Sequence, residues 1–190
     1  MKPKTIEHTH QPIYRVRAPN DDPLDARFSQ RPDLDNRWNT PAFPALYCCC
    51  SVEVARAIVK DFWEIGGVKV RDLPPGSRPR LFEIAWDGEA VDVASPEGVA
   101  GVGLPPHYPK GSDKVKTRAL AAKWHRAGFD GVVGRSASRA RLGFKEWQGD
   151  HERWGEVAIF VEKAKTPPRL IETPHDPDWF TAPRPRRRTD

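Results

Sequence analysis

The stretch PALYCCCSVEVARAIVKDFWEIGG, residues 44 to 67, changes its physical character at one residue. Up to Cys50 it is an apolar run of the length of a buried strand. From Val52 onward the apolar side chains Val54, Ala55, Ile58, Val59 and Phe62 recur at helical spacing and form one stripe. Ser51, between the two, is an N-cap residue whose hydroxyl can take a free N–H of a first helical turn. Gly66 and Gly67 supply the stop, so the spacing predicts a helix from Val52 to about Ile65. A buried strand that feeds at once into an amphipathic helix needs a sheet with helix packed on it. That constraint points to a domain of mixed α and β structure.

The rest of the chain supplies the remaining layers. IYRVRA, from Ile13, reads as a first strand, followed by a long polar connection, PNDDPLDARFSQRPDLDN. VKVRDL and RLFEIAWDGEAVDVAS read as strands around the turn PPGSRP. VAGVGLPPHYPKGSD reads as a loop. A helix is predicted from about Lys114 to Arg126 with Gly128 past its end, then a short strand in DGVVGRSAS and a last strand in EVAIFVEKA. The order favours an α+β fold, a compact mixed sheet with flanking helices, over a doubly wound sheet. Residues 1–12 are polar and read as a flexible tail, 13–165 as the folded domain, and 166–190 as a Pro- and Arg-rich tail. Six prolines between Pro167 and Pro185 argue against regular structure there, although Trp179 and Phe180 can pin it to the body.

With 190 residues the chain can bury a real core. No apolar run approaches the length of a membrane span, and the N-terminus lacks the apolar segment of a signal peptide, so no membrane and a cytoplasmic location are expected. Cys48, Cys49 and Cys50 alternate in direction within a strand and read as buried thiols; no metal is expected. The net charge is +5, of which RPRRRTD at residues 184–190 carries +3. A nucleic-acid platform would interleave basic and aromatic side chains across the fold, so that use is confined to the tail as an alternative. Walker and Rossmann glycine loops, HExxH, CxxC and GxSxG do not occur.

Arg37-Trp38-Asn39, then PALY and the amphipathic helix, then GFDGVVGRSAS, resemble in order the RES domain, named for an arginine, a glutamate and a serine. The resemblance implies an ADP-ribosyltransferase-like fold and the toxin of a toxin–antitoxin pair, inhibited by a helix-turn-helix antitoxin. It further implies NAD as substrate, cleaved or used to transfer ADP-ribose to a protein or nucleic-acid acceptor. The family arginine matches Arg37, the strand tyrosine Tyr47 and the serine Ser136. A guanidinium fork suits the NAD pyrophosphate, a tyrosine ring can stack on nicotinamide, and a small hydroxyl can hold a ribose or carboxamide. Arg37, Tyr47 and Ser136 are therefore the expected NAD-binding residues, with Tyr47 and Ser136 also catalytic.

The family glutamate is replaced by Ile58. A carboxylate favours the oxocarbenium-like transition state of glycosidic cleavage, which isoleucine cannot do. Asp61, three residues on and about 60° around a helix, is the preferred substitute and is assigned as catalytic. Glu146 and Glu156, flanking the loop KEWQGDHERWGE, are further candidates, with His151 as a possible general base. Glu53 lies about 140° away on the helix and projects elsewhere. The alternative without a replacement acid is a catalytically degenerate RES domain that binds a nucleotide or partner.

Overall fold

The computed structural model describes residues 2–9, 11–31, 36–64, 67–111, 113–144, 151–171 and 176–181. Among them the strands are β1 (Thr5–His8), β2 (Ile13–Arg17), β3 (Leu46–Cys49), β4 (Arg80–Ala85), β5 (Gly88–Val93), β6 (Gly131–Arg135), β7 (Gly155–Ile159) and β8 (Arg169–Ile171). The helices are α1 (Val52–Val59), α2 (Pro96–Gly101), α3 (Lys114–Arg126), α4 (Ala137–Arg141) and α5 (His151–Trp154). One eight-stranded sheet runs in the order β1-β5-β6-β7-β3-β2-β4-β8. The β5–β6 pair is parallel and the other pairings are antiparallel, which gives the α+β mixed sheet with flanking helices that the sequence predicts.

The sheet is curled. Ile13 and Ile84 of β2 and β4 meet Ala90, Val133 and Val157 of β5, β6 and β7 in one buried cluster on its inner side. On the outer side Val91, Val132 and Ala158 pack with Trp38, Tyr108 and the α3 residues Ala121 and Trp124. Beside them Cys49 packs with Val54, Ala55 and Val59 of α1. The cysteines alternate as a strand requires, with Cys48 and Cys50 inside and Cys49 outside. Burial pushes the Cys48 thiol up to about 12, so it behaves as a small apolar residue.

Local chemistry sets the helix starts. The Ser51 hydroxyl accepts from Val54 N and opens α1, and the Asp113 carboxylate accepts from Val115 N and opens α3. Ala127 and Gly128, the latter at φ +83, close α3. The α1 pattern continues beyond Val59 not as α-helix but as a π-helical turn, Lys60–Glu64.

Four expectations are corrected. Thr5–His8, read as part of a loose tail, pairs with β5 from Thr5↔Val91 to His8↔Gly88. The main chain does the holding, with Lys4 Nζ 3.3 Å from the buried Asp92 carboxylate, which apolar periodicity does not register. The Pro-rich tail contributes β8, an edge strand beside β4, where prolines ahead of the strand remove no ladder bond. Val70–Asp72, within the predicted strand VKVRDL, forms a 3-10 turn whose buried residue, Val70, serves the α1 cluster. A short helix, α2, follows the predicted strand RLFEIAWDGEAVDVAS, capped by Ser95 with Pro96 in its first turn, and takes in residues 99–101 from the start of the stretch read as loop.

Trp179 is 4% exposed within the α1 cluster, and its indole donates to the Pro79 carbonyl at 2.9 Å. The Trp179 carbonyl in turn accepts from Arg56 Nε of α1. Trp179→Ala should therefore destabilise the whole domain by about 3 kcal/mol in urea unfolding. A loss below about 1 kcal/mol would show that the segment is only draped on the surface.

Candidate active site

Arg37 stands in the loop before β3, and its surroundings fix that loop. The Tyr47 hydroxyl accepts from Trp38 N and donates to Asn39 Oδ1, both at 2.9 Å. Asn36 and Asn39 both donate to the Ser29 carbonyl, and Arg118 Nε of α3 donates to the Asn36 carbonyl. Trp38 is 1% exposed and packs on Tyr108 and Trp124. The tryptophan is thus an anchor that points into the core, and the adjacent arginine is delivered to the sheet.

The Arg37 guanidinium meets two side chains, and its Nη1 also lies 3.5 Å from the Arg135 carbonyl. Nη2 donates to Glu156 Oε2 at 2.7 Å and Nη1 donates to the Tyr108 hydroxyl at 2.9 Å. Burial works against the charge of Arg37, but Tyr108 and Glu156 more than offset it and hold its pKa above the usual value. Burial pushes the Tyr108 hydroxyl up to about 12 and the Tyr47 hydroxyl further still, so both are neutral near pH 7. Tyr108 is positioned by Arg135, whose Nη1 donates to the Pro106 and Tyr108 carbonyls at 2.8 and 3.0 Å. Gly134 makes room for it, because a Cβ there would sit 3.2 Å from the Tyr108 hydroxyl and 3.3 Å from Trp38 Nε1.

Glu156 joins the arginine to the serine segment. Its Oε2 takes Arg37, and its Oε1 accepts from Ala137 N at 3.1 Å. Ser136, one residue earlier, is fully buried, and its hydroxyl caps α4 by accepting from Arg139 N at 3.3 Å. The three matched residues are therefore brought to one place: Arg37 directly, Tyr47 through the Trp38 and Asn39 contacts, and Ser136 through the carboxylate bound at its neighbour. The Tyr47 hydroxyl spends its proton on Asn39, so its visible work is to hold the arginine loop.

The candidate acids separate clearly. Asp61 is not brought to Arg37; it is 8% exposed and forms a forked pair with Arg141 of α4, Arg141 Nε lying 3.0 and 2.9 Å from its two oxygens. The π-helical turn that begins at Lys60 takes Asp61 off the straight-helix line on which its candidacy rested. Glu53 lines an open cavity of about 460 Å³ with Gln11, Tyr14 and Arg56, whose lining does not include Arg37. Glu146 lies outside the described residues, and His151 begins α5. Glu156, the residue that closes the loop KEWQGDHERWGE and opens the predicted strand EVAIFVEKA, is the acid that reaches the arginine, from strand β7. Tyr108 was missed altogether; its one signal was an aromatic residue in a loop otherwise rich in proline and glycine.

Comparison with known proteins bears on the family and the fold. The RES domain family model matches residues 12–177. This chain belongs to the RES family. Its fold is similar to that in the crystal structure of the M. tuberculosis MbcT–MbcA toxin–antitoxin complex, with a TM-score of 0.72 at 20% sequence identity over 93% of this chain and 89% of that one. Comparison with curated proteins gave no match. Among the described residues no group of three or more His, Cys, Asp and Glu side chains is placed to hold a metal, and no helix is long and apolar enough to cross a membrane.

If Tyr47 acts by holding the RES arginine loop, Tyr47→Phe leaves Trp38 N and Asn39 Oδ1 without their shared partner. It should cost about 1–3 kcal/mol in chemical unfolding while the fold, read by circular dichroism, is kept. No loss of stability would show that the loop is held without it.

Proposed function

We propose that this RES protein is a toxin that cleaves NAD at the nicotinamide–ribose bond, releasing ADP-ribose or passing it to an acceptor, and that an antitoxin holds it in check. The observation that carries the reading is the placement of Arg37. Its guanidinium is fixed by Glu156 and Tyr108 beside the Ser136 segment, at the positions where the family has its arginine and serine. A planar fork of donors held at a partly open wall suits a pyrophosphate better than any neutral group would. The arginine side chain is 11% exposed and the glutamate 13%, so the pair borders solvent and is not sealed in the core. The aromatic rings of Trp38 and Tyr108 behind it keep the loop from yielding when an anion binds.

The likeness in fold to a toxin crystallised with its antitoxin supports an antitoxin as partner, and the family supports the cytoplasm as place of action. A second reading rests on Ile58, which packs half-buried against the α1 cluster where the family acid is expected. On that reading the domain binds a nucleotide and does not cut it.

Release of nicotinamide from NAD by the purified protein decides between the two. The enzyme reading expects release that Arg37→Ala reduces by at least about 100-fold, together with growth arrest on expression that the same variant relieves. If nicotinamide is not released even with acceptors added, while NAD still raises the melting temperature, the protein is a binding module.

A further inference from the structure

The acid of this RES domain has not been lost; we infer that it has moved, from helix α1 to strand β7, and that Glu156 is the carboxylate that serves the ribose during cleavage. The inference rests on the NAD-cleaving reading and on three observations. The first is register. Glu156 pairs across the ladders with Cys49 of β3 and Gly134 of β6, so its side chain rises on the same face of the sheet as Cys49. That is the face α1 covers, and Ile58 packs on the cluster that contains Cys49. The position that lost its acid and the strand that carries one therefore look onto the same side of the sheet.

The second observation is connection. Glu156 takes Arg37 on one oxygen and Ala137 N, next to Ser136, on the other. A carboxylate with one protein donor on each oxygen keeps lone-pair directions for a further donor such as a ribose hydroxyl. The third is the placement of the acids on and just after α1. Asp61 is held in a fork by Arg141, and Glu53 faces the cavity by Gln11 and Tyr14.

The chemistry is that of a stabilised glycosyl cation. The C1′–N1 bond breaks with both electrons leaving on nitrogen, so the pyridinium departs as neutral nicotinamide and positive charge moves to the ribose. The ionised Glu156 faces that charge and accepts from a ribose hydroxyl. Water or an acceptor hydroxyl then forms the new C1′–O bond, and its proton passes to the carboxylate and on to solvent. Arg37 holds the pyrophosphate throughout, so loss of either residue should act on a different kinetic constant.

The test is steady-state nicotinamide release from NAD by full-length wild type, Arg37→Ala, Glu156→Gln and the reciprocal variant Ile58→Glu/Glu156→Gln. Glu156→Gln should lower kcat by about 10²- to 10⁴-fold with KM for NAD changed less than about threefold. Returning the acid to the helix in the reciprocal variant should recover about tenfold or more of the lost kcat. If Glu156→Gln does not fold, Glu156→Asp keeps the charge one methylene short, and a kcat loss of about tenfold or more at unchanged KM carries the same meaning. A variant that keeps about a third or more of the wild-type kcat, or one whose loss lies wholly in KM, overturns the assignment and leaves Glu156 as a support for Arg37. Activity that dies with Arg37→Ala and survives Glu156→Gln overturns this inference alone, whereas a wild type that releases no nicotinamide overturns the NAD-cleaving reading with it.

Discussion

A guanidinium can be kept against a protein wall only if its charge and its donors are met there, since an unpaired buried ion is among the most costly features a fold can carry. Arg37 is met by the Glu156 carboxylate and the Tyr108 hydroxyl, and each partner belongs to a different part of the chain. Glu156 comes from β7, near the middle of the sheet. Tyr108 comes from the loop between α2 and α3. Through Ala137 N the same carboxylate reaches the start of α4. One ion pair therefore holds the loop before β3, the central sheet and the serine segment in register.

The geometry around that pair is set by residues packed behind it, one of which, Arg135, also offers its carbonyl to Arg37 Nη1 at 3.5 Å. Arg135 carries its own charge into the interior and satisfies it on main-chain carbonyls at Ala94, Pro106 and Tyr108. Its purpose is legible from that pattern, because a loop with few residues in regular structure needs its carbonyls bonded if its tyrosine is to stay in place. Gly134 works by subtraction, leaving the space in which Trp38 and Tyr108 approach the strand. Tyr47 works from below, bridging Trp38 N and Asn39.

What could be read from the residues alone follows the same physics. β3, α1 and α3 were legible because side chains announce them: an apolar run, a capping serine or aspartate, a helical stripe and a glycine stop. β1 and β8 were not, since short edge strands are held by main-chain bonds that any polar sequence can make. Arg37, Tyr47 and Ser136 were found through the order of the family motifs, and the structure does bring them together. Asp61 was misplaced because helical angles assume a regular helix, and the chain widens into a π-helical turn just before it. Glu156 was read at the boundary between the loop KEWQGDHERWGE and the strand EVAIFVEKA, and β7 begins one residue earlier, at Gly155. Contact between residues 119 apart in sequence, as Arg37 and Glu156 are, leaves no local trace.

That last point bears on how a family motif should be understood. A reaction at a ribose asks for a carboxylate at a point in space, and the sequence position from which the carboxylate is supplied matters only through the backbone that carries it. In this fold a helix and a strand border the same face of the sheet, so either can present an acid to it. Once β7 supplies Glu156, the α1 position is free to become apolar, and Ile58 then adds to the cluster formed by Cys49, Val54 and Trp179. A carboxylate at position 58 would also have to be desolvated against that apolar cluster, which is unfavourable. An acid on the strand and an isoleucine on the helix are, in this view, two halves of one arrangement.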